Sequence, residues 1–126
     1  RDRYIIYKYT QLMNSIIKKP WGYFEVLTSG KNFLVKKIMV KQGGILSLQN
    51  HQYRSEHWIV AEGEAEITIN EKIKTIKENE SIFIPQGAIH RMANKTKKNL
   101  IIIEMWYGEK LDENDIKRYE DIYKRI

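Results

Sequence analysis

The 126-residue chain contains no cysteine. That excludes a disulfide scaffold and any thiolate metal site, and it is compatible with a reducing cytoplasm, the expected location. Proline is scarce, with two residues, so long polyproline segments are excluded. No apolar run approaches the roughly 20 residues that cross a bilayer. The longest, Leu100–Ile103, is strand-sized. No signal peptide is evident either: Arg1–Arg3 is charged, but Lys8 interrupts Tyr4–Thr10 and no small-residue cleavage site follows. No membrane association is therefore expected. The chain starts at Arg1 rather than at Met, as an excised domain of a longer protein would.

What is present describes one globular domain. Hydrophobic residues make up 42% and charged residues 30%, enough for a single core. Twenty-two Lys and Arg outnumber sixteen Asp and Glu, a net charge of +6. The lysines are scattered (Lys18-Lys19, Lys36-Lys37, Lys95 to Lys98) and no recognition-helix or RNA-binding motif accompanies them. Nucleic acid is not the expected partner. A positive field also draws in small phosphorylated substrates, and otherwise keeps the domain soluble.

Residues 4–17 place Ile5, Tyr9, Leu12, Met13, Ile16 and Ile17 at helical spacing. They predict a short N-terminal helix or linker over 1–17, ended by Pro20, with the main domain over 18–126. Nine short runs then read as strands: 21–27, 33–41, 45–51, 56–62, 65–70, 72–77, 81–84, 90–93 and 100–106. Turn signals separate them at Ser29-Gly30, Gln42-Gly43-Gly44, Asn70-Glu71, Asn79-Glu80 and Pro85-Gln86-Gly87. Many short strands without helices between them predict an all-β sandwich or barrel. In the tail, Asp112 resembles a helix cap with Asp115 three residues on, and Ile116, Tyr119, Tyr123 and Ile126 recur at helical spacing. A C-terminal helix is expected there.

Two stretches carry chemistry. The first is Gly43-x5-Gln49-x-His51-x4-Glu56-x6-Gly63; the second is Pro85-x-Gly87-x2-His90-x3-Asn94. Gln49 and His51 are two apart, so on a strand they share a face. Glu56 opens the next strand and can meet them across a hairpin. His90 follows a turn that delivers a strand start. Gln49, His51, Glu56 and His90 are thus a candidate metal-ligand set of amide, imidazole and carboxylate. It suits a divalent ion: Zn²⁺ first, with Mn²⁺, Co²⁺, Ni²⁺ or Fe²⁺ as alternatives. Taken singly, each has a plainer reading, His90 as a hydrogen-bonded core residue and Gln49 as a solvated strand residue. His57, next to Glu56, points to the opposite face and reads as structural.

At these residues the chain resembles the cupin superfamily, with Gln49 in place of the first histidine of the usual His-x-His-x4-Glu motif. The implied fold is a double-stranded β-helix, or jelly-roll barrel. A narrower resemblance rests on Pro20-Trp21-Gly22, Leu46-Ser47-Leu48-Gln49, Arg54-Ser55-Glu56-His57-Trp58, Asn79 to Pro85, and Asp115-Ile116 through Tyr123. These are similar to type II phosphomannose isomerases, over about residues 18–126. The Gln-x-His pair is also similar to the metal site of type I isomerases. In the type II family this cupin is often the C-terminal half of a bifunctional enzyme whose other half is a mannose-1-phosphate guanylyltransferase. These 126 residues contain no Gly-rich nucleotide loop and are not expected to make GDP-mannose by themselves. Where the family has a run of histidines before the arginine, this chain reads His51-Gln52-Tyr53. Activity then depends on whether Tyr53 stands where a working histidine is needed.

The resemblance implies interconversion of mannose 6-phosphate and fructose 6-phosphate, a step in nucleotide-sugar and polysaccharide precursor synthesis. A base must move a proton between C2 and C1. Glu104 shares a face with Ile102 and Trp106, and reads either as an interior carboxylate with a raised pKa or as an outward charge. Lys36 lies on the face of Leu34, Ile38 and Val40 and points inward. Arg54, between two ligands, reads as a phosphate clamp or as a rim salt bridge. Arg54, Lys36 and Glu104 are the candidate catalytic residues, with Arg91 behind them. The rival readings are a non-catalytic sugar- or sugar-phosphate-binding module, a sugar epimerase, and an oxygenase. A homodimer is expected, because paired sheets cover strand edges.

Overall fold

The computed structural model describes residues 15–125, and these form two antiparallel sheets face to face. The strands are β1 (Ile16–Lys19), β2 (Gly22–Ser29), β3 (Phe33–Val40), β4 (Leu48–Asn50), β5 (Ser55–Glu62), β6 (Glu64–Ile69), β7 (Lys72–Lys77), β8 (Ser81–Ile84), β9 (His90–Ala93), β10 (Leu100–Tyr107) and β11 (Lys117–Glu120). One sheet runs β1-β2-β3-β10-β5-β8; the other runs β11-β4-β9-β6-β7. This is the expected all-β cupin jelly roll.

Period-2 alternation explains the strands. On β3, Leu34, Lys36, Ile38 and Val40 are buried while their neighbours are half-exposed. On β10, Leu100, Ile102, Glu104 and Trp106 are buried in the same way. The inward residues of both sheets make one core that includes Trp21, Phe24, Trp58, Ile67, Met92 and Trp106. Two positive-φ residues, Asn70 and Glu71, close the tight β6–β7 hairpin. Gly87 takes φ 84, a left-handed conformation that favours glycine, in the turn before β9.

Both expected helices need correction. Ile16 and Ile17 lie in β1, paired with Glu25 and Phe24, so the N-terminal helix does not run through 17. The remainder of that prediction falls outside the described residues. In the tail, strand β11 replaces the expected helix and pairs with β4. The physical reason is local. The Asp112 carboxylate accepts the Asn114 amide at 2.9 Å, which closes a turn in place of a helix start. The Asp115 carboxylate is taken by the Gln52 and Tyr53 amides at 2.8 and 2.9 Å. Apolar residues at i, i+3 and i+7 do not by themselves separate a helix from a bulged strand followed by a turn, and β11 has a register shift between Arg118 and Glu120.

Candidate metal centre

The two motifs meet between the sheets. Gln49 on β4 lies directly opposite His90 on β9, so these side chains share the inner face of the five-stranded sheet. Glu56 comes from β5 of the other sheet, and His51 from the loop after β4. The loop is tied to the second motif: the Gly87 amide donates to the His51 carbonyl at 3.0 Å. His51, Glu56 and His90 are all buried, and one potential ligand atom from each lies within 4.8 Å of the others.

The imidazoles are oriented by the backbone. His51 Nδ1 is 2.7 Å from the Asp115 carbonyl, and His90 Nδ1 is 2.8 Å from the Ala88 carbonyl. A carbonyl only accepts, so each Nδ1 carries the proton and each Nε2 presents its lone pair. The rings stand 4.9 Å apart, with the Trp58 indole edge-on to His90 at 5.5 Å. Burial lowers the pKa of His51 to about 4, against the raising influence of Glu56, and burial lowers that of His90 too. Both are therefore neutral near pH 7, as a ligand must be. Burial alone would raise Glu56, but the Arg54 guanidinium and both imidazoles bring it down to about 2. The Gln49 amide nitrogen donates to Ser47 Oγ at 3.0 Å, which leaves its oxygen as the end suited to a cation. The set of two Nε2 atoms, a carboxylate and an amide oxygen fits a borderline divalent ion with ligand bonds of about 2 Å.

Around this group the structure gathers the other predicted residues. Lys36, Glu104 and Trp58 form a row across β3, β10 and β5. Glu104 is buried, so it is the interior carboxylate rather than the outward charge. Its Oε1 accepts the Trp106 indole N–H at 2.6 Å. Burial, with Glu56 nearby, pushes its pKa up to about 8 despite Lys36. Lys36 is also buried. Its ammonium pairs with Glu113 and lies 4.0 Å and 3.9 Å from the Phe24 and Trp106 ring centroids. Arg54 gives Nε to Glu56 Oε2 at 2.7 Å and Nη1 to the Asp112 carbonyl at 3.3 Å, stacks on Trp106 at 3.5 Å, and places Nη2 3.2 Å from His51 Nε2. It is neither exposed nor on the rim.

Other predictions fall elsewhere. Arg91 lies next to His90 on β9 and so on the outer face, where it donates to Leu46 O and pairs with Glu120. His57 is exposed, as expected, with its ring 4.8 Å from that of Phe83. Asn94 is buried and its amide holds the Val40 and Lys98 carbonyls, a structural duty. Tyr53 is exposed under Lys110, outside the cavity. Sequence reasoning missed Glu113 and the Asp115 carbonyl. The only signal was the acidic run Asp112–Asp115, which reads equally well as a helix cap.

Comparison with known proteins agrees with this geometry. Among solved structures, a cupin described as RmlC-like from Shewanella frigidimarina aligns with TM-score 0.70 at 20% identity, covering 80% of this chain and 87% of its own. A double-stranded β-helix protein from Klebsiella pneumoniae aligns with TM-score 0.71 at 15% identity, covering 90% and 95%. These establish the fold alone. In sequence, mannose-1-phosphate guanylyltransferase ManC of Salmonella typhimurium is 44% identical over 114 residues, 90% of this chain and 24% of that protein. The alginate biosynthesis protein AlgA of Pseudomonas fluorescens is 47% identical over 109 residues, 86% of this chain and 23% of that protein. The chain thus spans about a quarter of the length of these relatives. The family model described as mannose-6-phosphate isomerase C-terminal matches residues 8–121, which includes every residue of the centre, and the chain belongs to that family.

Proposed function

We propose that this chain is a metal-dependent sugar-phosphate isomerase that interconverts mannose 6-phosphate and fructose 6-phosphate. The observation that carries the reading is the pairing of two buried features in one cavity. One is the His51, Glu56 and His90 group, of which Glu56 and His90 line the cavity; the other is the Glu104 carboxyl on the same lining. Gln49, His51, Glu56 and His90 would hold a divalent metal, Zn²⁺ first. When bound, the metal would polarise the sugar's oxygen atoms as a Lewis acid.

The remaining chemistry belongs to the chain. Glu104 takes the C2 proton of the aldose, leaving an enediolate; the hydroxyl proton passes from O2 to O1, and Glu104 returns its proton to C1 to give the ketose. A carboxyl with a pKa near 8 can both release and accept a proton close to neutrality. The Trp106 N–H on Oε1 fixes the carboxyl's orientation and leaves Oε2 for the transfer. Lys36, on the strand beside Glu104, stabilises negative charge developing on the sugar oxygens. Arg54 aligns Glu56 and closes the cavity with its stacked face. Trp58 and Trp106 exclude water.

The test is direct. The metal-loaded chain is incubated with mannose 6-phosphate, and fructose 6-phosphate is coupled to a dehydrogenase readout. Turnover that requires metal is expected. No turnover with Zn²⁺, Mn²⁺, Co²⁺ or Ni²⁺, despite bound metal, overturns the reading. One contact favours a second reading, a sugar-phosphate-binding module without catalysis. Arg54 already places donors on Glu56 Oε2 and beside His51 Nε2, the atoms a metal would use. That reading predicts sugar-phosphate binding with no metal uptake. Cytoplasmic location and a homodimer accompany the proposal; among the described residues no helix is long and apolar enough to cross a membrane.

A further inference from the structure

The cavity is lined by more cations than carboxylates. Lys19, Lys36, Arg54, Arg118 and Arg125 line it against the carboxylates of Glu56, Glu104 and Glu113. Most of these cations are already engaged. Lys36 is paired with Glu113 and held over two rings. Three nitrogens of Arg54 face protein partners. Arg125 gives Nε and Nη2 to Asp121 at 2.6 and 3.2 Å.

Arg118 differs. It sits on β11 directly opposite Gln49, which itself lies opposite His90. Arg118, Gln49 and His90 therefore form a row across three adjacent strands on one inner face, each about 4.8 Å from the next. Its Nε is buried and has no hydrogen-bond partner among the described residues. A buried charged donor without an acceptor is costly, and such a group calls for an explanation. The guanidinium fork suits the oxygens of a phosphate, and Arg118 lines the same cavity as Gln49, Glu56, His90 and Glu104.

We infer that Arg118 anchors the phosphate of the substrate, at the opposite end of the sugar from the carbons that exchange the proton. Lys19, which lines the same cavity, adds positive charge there. The inference rests on the sugar-phosphate reading for the identity of the sugar. The row Arg118–Gln49–His90 then sets the direction of binding, with the phosphate toward β11 and C1 and C2 toward His90. Arg118 is thereby a specificity residue that selects phosphorylated over free hexoses.

The experiment has two arms. In the first, inorganic phosphate is titrated calorimetrically into the metal-free chain as wild type, Arg118→Met and Arg118→Lys, each checked by circular dichroism. Saturable binding to wild type is expected, weakened about 10- to 100-fold by Arg118→Met and less by Arg118→Lys, which keeps the charge but loses the fork. Should Arg118→Met fail to fold, Arg118→Lys alone decides, by a severalfold loss. Equal affinity in wild type and the folded variant, or no binding to wild type, overturns the inference. The second arm is steady-state turnover of mannose 6-phosphate. The expected signature is a KM raised about 10- to 100-fold with kcat changed less than about threefold. A fall in kcat at unchanged KM overturns the anchoring role. The two readings fail separately: inactive wild type that still binds phosphate through Arg118 refutes the isomerase alone, and active wild type with phosphate binding indifferent to Arg118 refutes this inference alone.

Discussion

The floor and the rim of the cavity are built by different means. The floor consists of His51, Glu56 and His90, and each imidazole is pinned through Nδ1 by a main-chain carbonyl. Its donors hang from central strands or from a loop tied by the Gly87 amide. The rim comes from residues 111–125, where turns, a short strand and a register shift set the side-chain directions. The floor is held by hydrogen bonds that fix atoms; the rim is held by ion pairs and caps that fix segments. On the proposed reading this is a division of labour: the floor carries the chemistry, and the rim selects the molecule that reaches it.

The largest expected effect breaks the floor. His90→Ala removes an inward Nε2, and we expect loss of bound metal with turnover down by about 10³-fold or more, measured by elemental analysis and the coupled assay. Unchanged metal content would refute the ligand assignment. Next comes the carboxyl above it. Glu104→Gln keeps shape and metal but removes the proton carrier, so kcat should fall about 10²- to 10⁴-fold at constant metal content.

The same variant has a pH signature in the metal-free chain. Glu104 has its folded pKa raised from 4.5 to about 8. Below pH 4.5 the group is protonated in both states and imposes no penalty. As pH rises from 4.5 to about 8 the unfolded chain releases the proton and the folded chain keeps it, so stability falls. The slope for one proton is at most about 1.4 kcal/mol per pH unit. Melting curves across this range should therefore fall more steeply for wild type than for Glu104→Gln, and parallel curves would contradict the buried assignment.

Smaller effects probe the rim. Asp115→Ala removes the carboxylate that caps two amides while leaving the carbonyl that orients His51. A stability loss of about 1–2 kcal/mol in denaturant melts, with metal affinity nearly kept, would show that rim and floor are separable. The smallest effect is expected from Tyr53→His. Tyr53 lies outside the cavity, so restoring a histidine should leave kcat/KM within about twofold.

The sequence made the floor far more legible than the rim. Strand parity put Lys36 inward and His57 outward, but it left Glu104 open between an interior carboxylate and an outward charge, which only its burial decides. The expected hairpin between Glu56 and the Gln49-His51 pair does not form: β4 and β5 lie in different sheets, and Glu56 reaches His51 across the space between them. The runs 72–77, 81–84 and 90–93 correspond residue for residue to β7, β8 and β9. What stayed hidden depends on partners distant in sequence. Nothing local shows that the Asp115 carbonyl meets His51, 64 residues away. Arg54 read as a rim residue or clamp because its buried stacking on Trp106 is a tertiary contact. The tail read as a helix because its apolar spacing fits a helix, while the pairing of β11 with β4 that overrides it is long-range.

The most direct test of the account follows the proton. Metal-loaded wild type and Glu104→Gln are incubated with mannose 6-phosphate in D2O, and sugar carbons C1 and C2 are followed by NMR. The account predicts that wild type forms fructose 6-phosphate, with some deuterium at C1 where the carboxyl exchanges with solvent, and that Glu104→Gln forms almost none while binding the same metal. Equal product formation by the two proteins would contradict it.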